Sequence, residues 1–196
     1  MADSDSSDEE ETKEQCFRKS LSFAQKKSTF ERTCCYFIPE GVLSGLVTAQ
    51  TIKDVLHIAN PTPAEDELID FVKTRASKVF AIALWAKVEN PRRMMAYFKS
   101  KNLDDNDLPI TDPNSIWSKR SWYNDLIEHQ WRFYAAIFST AKYNLDLEES
   151  CILPFTLKGG DDGRGSFGVV SKYLVHRNHM EPVRPLILHM SSHEIC

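Results

Sequence analysis

A helix start at Thr62, followed by a long apolar segment, limits the fold of this chain more than any other feature. Thr62 is a good N-cap residue, Pro63 suits the first helical position, and Glu65 completes a capping box. The apolar residues that follow widen from a stripe into an almost continuous surface toward Trp85. We therefore expect one long helix over residues 63–88, with its second half at the centre of a hydrophobic core.

Neighbouring segments show the same helical spacing of apolar residues. Pro91 begins a shorter helix, in which we expect Met94 and Met95 to fill the core. Aromatic residues predict a further helix over residues 121–141, packed against the helix at 63–88. The predicted fold class is therefore mainly α, with a short β-hairpin after the helical part.

The N-terminal residues are strongly acidic. Residues 1–14 hold seven acids and one lysine, and the whole chain carries a formal net charge of -4. Apolar residues are too sparse over residues 1–30 to offset the entropy that is lost on ordering. We therefore divide the chain into an acidic disordered tail at 1–30, a helical domain at 31–150, a Gly-rich hairpin at 151–180 and an irregular tail at 181–196.

Charge, hydropathy and cysteine content argue against several classes of protein. The longest apolar run, Val79–Ala86, is far shorter than the roughly 18–20 residues that cross a bilayer. Outside the acidic tail the charges nearly balance, which argues against a nucleic-acid partner. Five cysteines without a Cys-x-x-Cys pair predict neither a disulfide framework nor a thiolate metal site. The N-terminus lacks the character of a secretory signal, so we expect a cytoplasmic or nuclear protein.

A glycine motif, Gly-x-Gly-x-x-Gly-x-Val, lies between two segments that alternate like strands. Glycines at this spacing allow a hairpin turn to lie close to a phosphate, because no Cβ blocks the backbone amides. The candidate nucleotide-binding residues are Gly163, Arg164, Gly165, Ser166, Phe167, Gly168 and Val170.

Two other phosphate-binding motifs fit this segment less well. The dinucleotide fingerprint shares the three glycines but requires a helix after them, and Val169–Val175 alternates like a strand instead. A Walker loop requires Gly-Lys-Ser or Gly-Lys-Thr, which does not follow here. The pattern favours the Gly-rich loop of a protein kinase over a Gly-rich hairpin of no function.

Several motifs, taken in order along residues 30–180, resemble a protein kinase family that is abundant in filamentous fungi and places a helical domain before the kinase domain. The resemblance implies that the hairpin corresponds to the first strands of a kinase N-lobe and that ATP with Mg²⁺ is its ligand. The matching segments are Phe37–Gly41, Lys78–Ile82, Asp107–Ile110, Gln130-Trp131, Leu153–Phe155 and the Gly-rich loop followed by His176-x-x-His179.

The sequence departs from that family in the residues that perform catalysis. A protein kinase requires a third-strand Lys, a partner Glu, a catalytic Asp and Asn, and an Asp-Phe-Gly for magnesium. None of them can be assigned here, so we name no catalytic residue and expect a truncated, kinase-like chain without phosphotransfer activity. Asp161 and Asp162 stand just before the first glycine, where their charges would repel a phosphate.

Two alternatives stay open at this point. The chain could be a non-enzymatic, helical interaction module that binds an unidentified protein partner, with the hairpin playing no part. It could also hold a zinc ion, because histidines cluster near its end at spacings that imidazole ligands can satisfy. The candidate ligands would be His176, His179, His189, His193 and Cys196.

Overall fold

The computed structural model describes residues 11–30, 35–111, 120–139, 145–165 and 168–181, and it leaves out the side chains of residues 120–123, 160–165 and 168–171. Within these residues the fold is mainly α, as predicted, with two small antiparallel sheets of two strands each. The helices are α1 (Lys13–Ala24), α2 (Leu43–Leu46), α3 (Ala49–Val55), α4 (Pro63–Thr74), α5 (Ser77–Trp85), α6 (Pro91–Lys101) and α7 (Arg120–Gln130). The strands are β1 (Lys26–Lys27), β2 (Tyr36–Phe37), β3 (Phe155–Gly165) and β4 (Gly168–Val175).

Helix α5 forms the centre of the core. Its residues from Val79 to Leu84 are each at most 2% exposed, so the helix is apolar on every side. Helices α1, α2, α4, α6 and α7 contact it. Met94 and Met95 of α6 are fully buried in the same core, which confirms their predicted role.

The predicted helix at 63–88 is wrong in one respect, because the structure divides it into α4 and α5. Its start is correct, and Thr62 and Glu65 form the expected capping box. The helix ends at Thr74, and Ala76 adopts a non-helical conformation with φ -128° and ψ 32°. The Arg75 side chain turns toward Asp104, and its Nε donates to the Asp104 carboxylate over 2.9 Å.

The start of α5 is capped by a residue that is distant in the sequence. Ala76 occupies the N-cap position and has no side-chain oxygen to accept from the free backbone amides. The Asp105 carboxylate accepts from the amides of Lys78 and Val79, at 2.9 and 3.0 Å, and from the Ser77 hydroxyl at 3.1 Å. Asp105 therefore caps the N-terminus of α5, as Thr62 caps that of α4.

The predicted disordered tail at 1–30 is wrong for residues 13–24, which form α1. The helix begins with a capping box between Thr12 and Gln15. Phe17 and Leu21 lie one turn apart and are buried, and the Phe17 ring is 5.8 Å from that of Phe80 on α5. These two apolar residues form the core-facing side of an otherwise polar helix. Residues 1–10 of the predicted tail lie outside the described residues.

The predicted helix at 121–141 is too long. Helix α7 ends at Gln130, whose buried side chain accepts from the Ile110 amide at 2.8 Å and donates to the Ile110 carbonyl at 3.0 Å. The chain then becomes extended, and Ala135 bridges to Ile152. The backbone groups of this segment are thus satisfied by pairing with later residues instead of by a further helical turn. Leu126 of α7 lies in the core, as the predicted packing of this helix requires.

Replacing the distant cap should destabilise the fold. We expect Asp105→Ala to lower the free energy of unfolding by about 1–3 kcal/mol, because the amides of Lys78 and Val79 lose their acceptor. Urea unfolding followed by circular dichroism measures this change. Asp70→Ala, on the exposed side of α4, is the matched control. Equal loss of stability in both variants would contradict the capping role.

Candidate nucleotide-binding hairpin

The Gly-rich motif forms the closed end of an antiparallel hairpin. Strands β3 and β4 pair with Gly165 opposite Gly168, which leaves residues 166–167 as the connection. Gly163 lies opposite Val170, and Arg164 lies between the two glycines that end β3. The structure therefore brings together five of the seven predicted nucleotide-binding residues. Ser166 and Phe167, the other two, lie outside the described residues.

The element that follows the glycines separates two kinds of phosphate-binding motif. A dinucleotide fingerprint continues from its glycines into a helix. Here Gly168–Val175 is a strand that returns along β3. The predicted pair of strands around the motif is confirmed.

The pairing of β3 with β4 is irregular between its base and its tip. The register shifts between Phe155 and Leu157, between Lys158 and Asp161, and between Asp161 and Gly163. Such bulges bend a strand and increase its twist. At Gly159 the two strands approach so closely that a Cβ would lie 3.2 Å from the Lys172 Cβ. This glycine is outside the motif, and only the structure gives it a role.

Four aromatic side chains hold the base of the hairpin against the rest of the chain. Phe155 and Tyr173 stack with ring centroids 4.8 Å apart, and Phe138 also stacks with Phe155, at 5.8 Å. Phe30 lies 5.8 Å from both Phe155 and Tyr173. The Thr29 amide also donates to the Phe155 carbonyl over 2.8 Å. These residues come from four separate parts of the sequence, so spacing could not have identified them.

The other face of the hairpin exposes an apolar pair. Leu157 and Leu174 are direct cross-strand partners, and each is 59% exposed. Cross-strand leucines at such exposure lose most of the stabilisation that burial gives. Among the residues that the structure describes, none covers this pair of leucines.

Beyond β4, His179 fixes the chain to the helical domain. Its ring is 1% exposed and packs edge-on against Phe37 with centroids 5.2 Å apart. Its Nε2 accepts from the Glu40 amide at 3.1 Å, so the proton is on Nδ1, which donates to the Ala136 carbonyl over 3.0 Å. Asn178 adds a bond from its Nδ2 to the Glu40 carbonyl at 2.7 Å.

Glu40 also connects the segment after the hairpin to the central helix, α5. The Glu40 backbone binds His179 and Asn178. The Glu40 carboxylate lies 2.8 Å from the Lys78 ammonium on α5. The His176 amide, directly after β4, donates to the Pro154 carbonyl over 2.8 Å. The hairpin is therefore closed at its base, and the segment after it is joined to α5 through Glu40.

These bonds remove His179 from the zinc site considered from the sequence. A histidine ligand needs one ring nitrogen with a free lone pair, and both nitrogens of His179 are engaged. The part of the chain that the structure describes contains no group of three or more His, Cys, Asp or Glu residues suited to a metal ion. His189, His193 and Cys196 lie outside the described residues.

Burial lowers the pKa of His179 below its ordinary value, and burial together with Arg177 and Lys26 lowers that of His176. Below about pH 6.5 the unfolded chain binds more protons at these residues than the folded chain does. The contribution of these two histidines to stability is therefore fully present above that pH. It decreases as the pH falls toward their lowered pKa values in the folded chain. We expect the Tm to decrease between pH 7.5 and pH 5.5.

The variant His179→Phe should have a lower Tm at pH 7.5 and a smaller further decrease on acidification. His57→Gln, which changes an exposed histidine, should keep the wild-type decrease. Scanning calorimetry in matched buffers measures all three proteins. An unchanged decrease in His179→Phe would show that this histidine does not govern the acid response.

None of the helices in the described residues is both long and apolar enough to span a membrane. No protein-family model matches the chain, and no curated protein or solved structure shows significant similarity to it.

Proposed function

We propose that this chain is a cytoplasmic or nuclear, kinase-like protein that binds the triphosphate of ATP through its Gly-rich hairpin and does not transfer phosphate. The single observation that carries the proposal is the position of the motif glycines at the closed end of a β-hairpin. Backbone amides at such a tip can approach phosphate oxygens closely, because the glycines have no Cβ.

The sequence around the hairpin supports binding without catalysis. The residues that would hold magnesium, orient the α- and β-phosphates and position an acceptor hydroxyl have no counterpart among the 196 residues. Binding through a hairpin alone uses few contacts, so we expect a dissociation constant of about 1 mM or weaker. Asp161 and Asp162 weaken it further by repulsion.

ATP binding can be tested on the glycines by amide chemical shifts during titration with ATP and Mg²⁺. Wild-type protein should show saturable shifts at residues 163–170. The variant Gly165→Val should bind at least roughly tenfold more weakly, because its side chain occupies the space next to the phosphates. Gly45→Ala on α2 is the matched control, since a Cβ there meets nothing within 4 Å. Absence of shifts in wild-type protein would refute the proposal.

Removing the negative charges of Asp161 and Asp162 should raise the affinity for ATP, which is a second test of the proposal. The double variant Asp161→Asn/Asp162→Asn should bind ATP more tightly by roughly thirtyfold, since each like charge near a phosphate in water costs about 1 kcal/mol. Neither variant nor wild type should transfer radiolabelled phosphate to a generic protein substrate. Equal affinities before and after neutralisation would place the bound triphosphate away from the hairpin.

A second candidate function is that of a non-enzymatic interaction module. The exposed pair Leu157–Leu174 favours it, because the pair offers an apolar surface on a face that the described residues leave uncovered. Replacing both leucines with Gln should then abolish binding of the protein partner while leaving ATP-dependent shifts unchanged. The two functions are thereby separable in one preparation.

A further inference from the structure

An open groove of about 890 Å³ runs along α1, on the side away from its buried residues. Its walls are polar throughout, so it suits a charged, extended peptide better than an apolar ligand. The side chains that line it beside Glu11 are Thr12, Gln15, Arg18, Lys19, Ser22 and Lys87.

Three of these side chains are cationic, and two of them keep most of their capacity to bind an anion. Lys87 is exposed on a turn with φ 55°, and no ion pair to it occurs within the described ranges. The Arg18 guanidinium has only long contacts, 4.0 Å to the Glu14 carboxylate and 3.5 Å to the Leu84 carbonyl. The groove is therefore positively charged on balance, even with Glu11 in it.

The chain itself enters this groove from its acidic end. The Glu11 carboxylate lies 2.9 Å from the Lys19 ammonium, eight residues further on, so residue 11 already lies along the helix. Residues 1–10, which come directly before it, contain five acids and no basic residue. Ten extended residues reach about 33 Å, whereas the twelve residues of α1 span about 18 Å. The acidic segment is long enough to follow the whole groove.

We propose that residues 3–10 bind in the groove along α1 of the same molecule, with their carboxylates facing Arg18 and Lys87. Charge complementarity selects this occupant, and the covalent connection at Glu11 gives it an effective concentration on the order of millimolar. The segment then covers the polar side of α1, whose apolar side is covered by the core.

Carbodiimide coupling tests the proposal, because it joins a carboxylate to a lysine amine only where the two are in contact. In low salt, we expect amide links from Asp3–Glu10 to Lys87 in the monomer, at least roughly fivefold more abundant than links to Lys73 or Lys101, which are exposed on α4 and α6. In 0.5 M NaCl the Lys87 links should fall by at least about threefold, since salt screens exposed charges. Equal yields at all three lysines, or no links, would overturn the proposal.

Two variants at Lys87 separate the effect of its positive charge from the effect of its reactive amine. Lys19 also lines the groove, so the wild-type protein should give some links from residues 3–10 to its amine. Lys87→Arg keeps the charge but removes the amine at position 87, so these Lys19 links should persist. Lys87→Gln removes both, and those Lys19 links should decrease by roughly threefold. Equal Lys19 yields in the two variants would show that Lys87 does not attract the segment. Mixing isotopically heavy and light protein identifies links between two copies, and a majority of mixed-isotope links would refute binding within one molecule.

Discussion

The fold depends on a carboxylate that caps a helix from a distance. Helix α5 is buried on all sides from Val79 to Leu84, and the amides of its first turn have no acceptor within the helix. Its own N-cap residue is Ala76, so the acceptor must come from elsewhere, and Asp105 provides it. The loop that carries Asp105 is held by the bond between Arg75 and Asp104 and by the Asp105 amide, which donates to the Arg75 carbonyl. The break between α4 and α5 is therefore stabilised by the loop after α6, and that loop is held in place by Arg75 at the break.

This dependence explains which parts of the fold were predictable from sequence. The start of α4 could be located because Thr62 and Glu65 are three residues apart and cap locally. The end of α4 could not, because the acceptor that allows α5 to begin afresh lies nearly thirty residues away, in a loop with no regular pattern. The same holds at Gln130, which ends α7 by binding the backbone of Ile110. Local signals identified helix starts, and side-chain bonds between distant residues set the breaks.

The packing of the N-terminal helix and of the hairpin likewise depends on contacts between residues that are distant in the sequence. Average composition over residues 1–30 concealed α1, although Phe17 and Leu21 pack it on the core. The glycine motif predicted a hairpin turn, since a turn is a local property of the chain. The stack of Phe30, Phe138 and Phe155 at its base joins segments more than a hundred residues apart, which spacing does not reveal. The candidate site could thus be located, but its attachment could not.

The attachment at Glu40 has a structural consequence. The short segment after β4 leads to His179 and Asn178, which bind the backbone of Glu40. The Glu40 carboxylate then leads directly to Lys78, in the first turn of α5. The hairpin and the central helix are therefore joined through Glu40, at the end of α5 that Asp105 caps.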